Sequence, residues 1–231
     1  MNPSLGMRCA CELSGTALLV GVGTGAIVAA SRAGGIPAWI MALPWFLAVL
    51  LPILLFVRVS GAHLNPMVTT ALAVSGRIAW GEVPYYMLAQ LAGAFIGSGA
   101  VWGLLGGGAH LGSTTPTHVD LAVAFVGEFV FTALLVIAVF ALSDLGEGRR
   151  RWRLTLPPLA VALSTLVIGP WTGSSLNPAR TLAPAILSGT YTDLWLYLIA
   201  VPLGSLAVAA VWRPRAVDIF DRGPGRADVS R

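Results

Sequence analysis

Apolar positions run along this chain in long uninterrupted stretches, and the positions that break them are polar but rarely charged. Residues 13–31, 33–57, 83–119, 154–179 and 194–212 contain no Asp, Glu, Lys or Arg. A run of ~20 apolar residues is long enough to cross a bilayer as a helix. The pattern predicts six spanning helices, at about 9–30, 38–58, 82–105, 119–143, 154–170 and 192–212. Two stretches depart from it: "VSGAHLNPMVTTALA", Val59 to Ala73, and "WTGSSLNPARTLAPA", Trp171 to Ala185. Each opens polar, then places Asn-Pro before a helical run too short to span.

Proline suits the first helical turn, where its missing N–H is not needed, and asparagine is a strong N-cap. Asn65-Pro66 and Asn177-Pro178 therefore each predict a helix start. The short helices that follow read as half-helices re-entering from opposite sides, with their N-termini near mid-bilayer. Irregular backbone survives at that depth only where it lines a water-filled cavity or is buried in protein. "VSGAHL" and "TGSSL" then offer carbonyl acceptors to whatever passes. The alternative, two ordinary extramembrane turns, does not explain why the pattern occurs twice in register.

The register extends further. "CELSGTALLV" matches "GEFVFTALLV", pairing Glu12 with Glu128 and Thr16 with Thr132, 116 positions apart. The Asn-Pro stretches lie 112 apart, and "YMLAQLAGA" matches "YLIAVPLGS" 111 on. A three-span unit has been duplicated, with repeat 1 at about 9–105 and repeat 2 at about 119–212. Three is odd, so the copies enter the membrane in opposite orientation, an arrangement that places a transport site where they meet. The fold class is an all-α membrane protein: six transmembrane helices plus two re-entrant half-helices in an inverted three-span repeat, one transmembrane domain over 1–231.

Composition agrees. Of 231 residues, 56% are hydrophobic and 10% charged, against ~25% charged in soluble domains; mean hydropathy is +0.81. All cations are arginine, and with both termini inside, every one but Arg32 and Arg180 falls on the cytoplasmic side. This is the positive-inside bias. The net charge of +4 thus reports topology and contact with anionic lipid, not nucleic acid. The "GRRRWR" cluster reads as a solvated loop, and 213–231 as a disordered cytoplasmic tail. Cys9 and Cys11 read as inert thiols, because a disulfide is disfavoured in a reducing compartment. No cleavable signal is recognisable. His110 and His118 have no metal-site spacing and read as solvated, and no metal or catalytic set converges in the spans.

"SGAHLNPMVT" and "GSSLNPAR", with the two Glu-x-x-x-Thr segments, resemble the signature of the major intrinsic protein family, the aquaporins and glycerol facilitators. The similarity covers roughly residues 9–212 and is closest in character to a prokaryotic aquaporin. It implies one narrow pore per subunit, usually in a homotetramer in the plasma (inner) membrane, conducting passively with no cofactor. In that reading the pore asparagine motifs are Asn65, Pro66, Met67 and Asn177, Pro178, Ala179. The side-chain amides of Asn65 and Asn177 face the permeant, and each half-helix directs about half a positive elementary charge at the same point. Glu12 and Glu128 would hold the pore loops from behind, and His63 belongs to the same support; for Glu12 an interfacial position facing headgroups is the alternative. His63 is equally open to a structural and a gating role.

The family's constriction falls, by spacing from the asparagines, on Trp45, Thr165, Ser174 and Arg180. Arg180 is always protonated and repels cations while hydrogen-bonding neutral solutes; a snorkelling interfacial arginine is the alternative, as a lipid-facing ring is for Trp45. Water channels of the family usually place Phe and His where Trp45 and Thr165 stand. The smaller threonine implies a wider opening, as in glycerol facilitators and plant nodulin-like channels. Thr181 and Ala185 instead resemble the water branch, Leu198-Ile199 lacks its aromatic pair, and Met67 replaces the family's alanine. The expectation is a passive channel for water with small neutral solutes (glycerol, ammonia, metalloid hydroxides) that excludes ions and protons. The alternatives are a polyol or metalloid facilitator with low water flux, and an ion-coupled secondary transporter.

Overall fold

A computed structural model describes residues 3–144 and 154–212. The arginine cluster around residue 150 and the tail from 213 lie outside the described residues. In chain order the helices are α1 (Leu5–Arg32), α2 (Ala38–Phe56), α3 (Pro66–Val74), α4 (Val83–Leu105), α5 (Leu121–Asp144), α6 (Leu156–Val167), α7 (Pro178–Ser188) and α8 (Leu194–Val211). Tight turns at Trp80–Glu82, Gly108–Gly112 and Gly169–Thr172 lead into α4, close the loop after it, and follow α6.

Among the described residues, five helices are long and apolar enough to cross a membrane. The fifth span differs from expectation: the sequence predicts 154–170, whereas α6 has 12 residues, about 18 Å at 1.5 Å per residue. Pro170 is the physical reason. It cannot donate to the carbonyl of Leu166, so the helix ends at Val167 and a separate turn begins at Gly169. Prolines inside α2, α7 and α8 (Pro44, Pro52, Pro184, Pro202) do not end those helices.

The long helices cross closely. A Cβ on Gly93 of α4 would overlap the Leu13 carbonyl oxygen of α1, and one on Gly204 of α8 would overlap the Phe129 carbonyl oxygen of α5. The two crossings sit 111 positions apart, the same offset as the matched tyrosines. Small residues let backbones approach, which is how helices associate where lipid is as apolar as they are.

Each half-helix packs into the other half of the chain. Val68, Ala71 and Leu72 of α3 share a buried cluster with Leu135, Val136 and Phe140 of α5. Ala179 and Ala183 of α7 share one with Leu19 and Val20 of α1 and with Trp45, Ala48 and Val49 of α2. Ser205 of α8 donates to the Met67 carbonyl at 2.8 Å, fastening α3 to the second half. The outward faces are apolar, with Leu43, Leu51 and Leu54 on α2, Leu88 and Ile96 on α4, and Val126 and Val130 on α5 all exposed. That is the surface a hydrocarbon solvent requires.

Candidate functional site

Two loops, 57–65 and 173–177, run into the protein interior and end at the asparagines. Their backbone conformations repeat in register. Gly61, Ala62 and Leu64 have φ of 89°, 49° and 56°; Gly173, Ser174 and Leu176 have 75°, 50° and 54°. A left-handed conformation at a non-glycine residue costs ~1–3 kcal/mol, and there are four such residues here. Something must hold them.

Two buried carboxylates do. Glu12 Oε1 accepts from Ser60 Oγ (2.7 Å) and the His63 N–H (2.9 Å), while Oε2 accepts from the Leu64 N–H (2.7 Å) and Gln90 Nε2 (2.8 Å). Glu128 accepts from Thr172 Oγ1 (2.7 Å) and the N–H groups of Ser175 (2.9 Å) and Leu176 (3.1 Å). Hydrogen bonds to a charged group contribute ~1.5–3 kcal/mol each, so three or four of them outweigh two strained residues per loop. Both glutamates are fully buried, which rules against an interfacial Glu12.

The asparagines meet head to head. Asn65 Oδ1 accepts from the Met67 N–H at 2.9 Å and caps α3; Asn177 Oδ1 accepts from the N–H groups of Ala179 (3.0 Å) and Arg180 (3.4 Å) and caps α7. Across the contact, Asn65 Nδ2 donates to the Leu176 carbonyl at 2.7 Å and Asn177 Nδ2 donates to the Leu64 carbonyl at 2.8 Å. An amide NH2 has two hydrogens. One on each side is spent on the opposite loop, which leaves one to offer. Pro66 and Pro178 occupy the first helical positions, and Ala179 is buried. Met67 is buried too, but its recorded hydrogen bonds are through its backbone.

Further along, Arg180 lies buried between two carbonyls and a ring. Nη1 donates to Gly112 at 2.8 Å, Nη2 to Gly173 at 3.3 Å, and the guanidinium carbon stands 4.7 Å from the centroid of the Trp45 ring. Both residues are therefore internal, against the snorkelling and lipid-facing alternatives. Among the described residues no carboxylate lies within ion-pair distance of Arg180. Dipoles and a π face solvate the charge without cancelling it, so its field reaches anything beside it. Ser174 is in the loop that carries Gly173, its Oγ 2.7 Å from Ser164 Oγ, and Thr165 donates to the Val161 carbonyl at 2.9 Å. Trp45 fits because the facing residue of α1 is Gly23: a Cβ there would come within 2.5 Å of the indole.

Several participants are not singled out by sequence reasoning. Tyr86 donates to the Ser60 carbonyl (2.9 Å) and Tyr197 to the Thr172 carbonyl (2.7 Å), equivalent bonds in the two halves. The signal was present, since these tyrosines open the third matched pair. Gln90 bridges Glu12 and Thr69, and Arg8 forms a two-pronged ion pair with Glu82 at 2.6 and 2.7 Å while lying over the Tyr86 ring. Gly112, in the loop after α4, had no signal at all. His63 is buried, with Nδ1 3.2 Å from Thr69 Oγ1 and its ring against Tyr86. His110 is exposed beside Thr190. Cys9 and Cys11 are free thiols. Thr16 and Thr132 are buried with no hydrogen-bond partner among the described residues, and their shared position has no explanation in the surrounding contacts.

The family model described as Major intrinsic protein matches residues 3–212. Aquaporin NIP1-1 of Zea mays is 38% identical over 207 residues, covering 87% of this chain and 71% of that protein. Aquaporin NIP3-1 of Zea mays is 37% identical over 215 residues, covering 91% and 70%. The X-ray structure of the aquaglyceroporin from Plasmodium falciparum superposes with a TM-score of 0.78 at 29% identity, covering 90% of this chain and 95% of that one. Inverted repeats are shared with secondary transporters, but these likenesses settle the class. The chain belongs to the major intrinsic protein family and is a membrane channel for water and small neutral solutes.

Proposed function

We propose that the permeation path passes the Asn65–Asn177 contact and a constriction formed by Trp45, Thr165, Ser174 and Arg180, and that it admits neutral solutes larger than water. The observation that carries this reading is Arg180: a buried cation lying over Trp45 with no carboxylate within ion-pair distance among the described residues. Cations are repelled there and also at the asparagines, where both half-helices point their positive ends. A neutral solute exchanges hydration for Arg180 donors and loop carbonyls. Glu12, Glu128 and His63 act as support for the loops, and Met67 lines no essential contact. The likeness to an aquaglyceroporin favours a path that takes polyols alongside water. A polyol or metalloid facilitator with low water flux is less favoured.

The whole chain forms one channel domain, with repeat 1 at about 9–105 and repeat 2 at about 119–212. It works as a homotetramer in the plasma membrane, an inner membrane in a bacterial cell, with both termini cytoplasmic. The arginine distribution supports that orientation. The test is stopped-flow light scattering on proteoliposomes, comparing osmotic shrinkage with entry of glycerol, urea and ammonia. Water and glycerol should both exceed protein-free vesicles. Thr165→His should cut glycerol flux sharply and spare water, while Arg180→Val should admit protons or cations. A wild-type channel that excludes every solute but water would refute the wide constriction, and measurable wild-type ion conductance would refute the barrier.

A further inference from the structure

Behind the constriction, two serine hydroxyls and one threonine hydroxyl lie around a single backbone carbonyl. Thr165 Oγ1 lies 2.9 Å and Ser164 Oγ 2.8 Å from the carbonyl oxygen of Val161. A carbonyl has two lone pairs, and the Thr165 N–H one helical turn on takes one of them. The nearer hydroxyl, Ser164, takes the other, and Thr165 shares that oxygen only as a third donor and keeps its proton available. A serine has one proton to give. With that of Ser164 directed to Val161, the 2.7 Å contact between the Ser164 and Ser174 hydroxyls takes its proton from Ser174. Ser174 is then left with a lone pair and no proton for a solute. Arg180 is the opposite: it has donors only, and its Nε has no acceptor among the described residues.

We propose that Ser164, which stands outside the four residues of the constriction, is a specificity-determining residue. By accepting the Ser174 proton it leaves that wall able to accept hydrogen bonds and unable to donate them. The proposal rests on the constriction described under Proposed function. The favoured solute class is small neutral molecules that carry O–H or N–H donors together with an acceptor: water, polyols, amides and undissociated hydroxides. Such a solute accepts from Arg180 and donates to Ser174 at once. A polar solute with acceptors only satisfies Arg180 but leaves the Ser174 oxygen unpaired in a constriction with little water. Ser164 is fully buried and sets this choice without touching the solute itself.

The experiment uses the full-length channel in proteoliposomes, with urea, dimethyl sulfoxide and water as probes. Urea and dimethyl sulfoxide have the same number of non-hydrogen atoms, but only urea donates. Above protein-free vesicles, wild type should pass urea faster than dimethyl sulfoxide. Ser164→Ala releases the Ser174 proton, so the urea-to-dimethyl sulfoxide ratio should fall by about threefold to tenfold, the rate equivalent of about one hydrogen bond. Water, which both donates and accepts, should change by less than about twofold. Ser164→Thr keeps the hydroxyl and should keep the ratio. A purely structural Ser164 would move all three permeabilities together in Ser164→Ala, and that result overturns the proposal. So does an unchanged ratio, or a wild type that passes dimethyl sulfoxide as readily as urea. The last comparison needs no variant, so a misfolded Ser164→Ala leaves the proposal open to refutation. A wild type that passes water alone, or that lacks water flux, overturns the proposed function instead, which keeps the two failures distinct.

Discussion

The first loop, 57–65, and the second loop, 173–177, are built on one frame and finished differently. The frame is a buried glutamate, a tyrosine bound to a loop carbonyl, an asparagine cap and left-handed residues at equivalent positions. The finish differs three residues past each asparagine. The first half has Val68 there, buried in an apolar cluster, and the second half has Arg180. Behind the tyrosines the contrast is reversed. Tyr86 lies under Arg8, which is paired to Glu82, whereas Tyr197 sits in an apolar cluster with Ala124, the counterpart of Arg8. The duplicated frame sets the shape of both loops. In the proposed path the buried cation makes the second loop a chemical filter, and among the described residues an ion pair braces the first.

The strongest test of the shared frame removes its carboxylates one at a time. Glu128→Ala leaves three donors without their acceptor and Glu12→Ala leaves four, at ~1–3 kcal/mol each for buried groups. Water permeability per reconstituted channel should fall more than about tenfold in both. If either variant stays within about twofold of wild type, the frame does not need its carboxylate and the symmetry is only apparent.

The filter side is sharpened by Gly23→Ala. The new methyl would collide with Trp45 and drive the indole from its seat beside Arg180. Glycerol flux should drop by about tenfold, with water reduced less. An unaltered glycerol-to-water ratio, measured on the same vesicle preparation, would show that the ring does not bound the opening.

The brace on the first loop calls for a smaller effect. Arg8 and Glu82 are partly exposed, at 14% and 26% of their side-chain surface, and such pairs contribute ~0.2–1 kcal/mol. Arg8→Glu should lower water permeability by about twofold to fivefold, and the double exchange with Glu82→Arg should restore it. Failure of the double exchange would mean that the pair does not position Tyr86.

Smallest of all is Met67→Ala. The recorded hydrogen bonds of Met67 are through its backbone, to Asn65 and Ser205. Water permeability should therefore change by less than about threefold. A large gain in the same assay would show that the side chain obstructs the path.

Much of this frame was legible in the chain because it is written twice. Asn65 and Asn177, or Glu12 and Glu128, are found by matching one half to the other, and N-cap chemistry says what the asparagines do. Contacts made once, between distant elements, left no such trace. Gly112 meets Arg180 only because a left-handed turn aims a carbonyl inward, Gly23 matters only because an indole lies opposite, and Ser164 is one more small residue in an apolar helix until Ser174 is seen beside it. The shortened α6 was readable in principle from Pro170, but uncharged length outweighed a single proline in locating the span.

The reciprocal bonds between the asparagines and the opposite loops also impose an order in time. The Asn65 amide reaches a carbonyl 111 residues ahead of it, and the Asn177 amide one 113 residues behind. A chain synthesised from its N-terminus delivers α3 to the membrane long before the loop that completes it exists. During that interval the Asn65 amide and the Leu64 carbonyl lack their final partners, and bilayer interior offers none. The cap of α3 therefore reaches its final pairing only when the second loop arrives. The halves match as shapes, yet the ribosome makes one of them live for a time without the other.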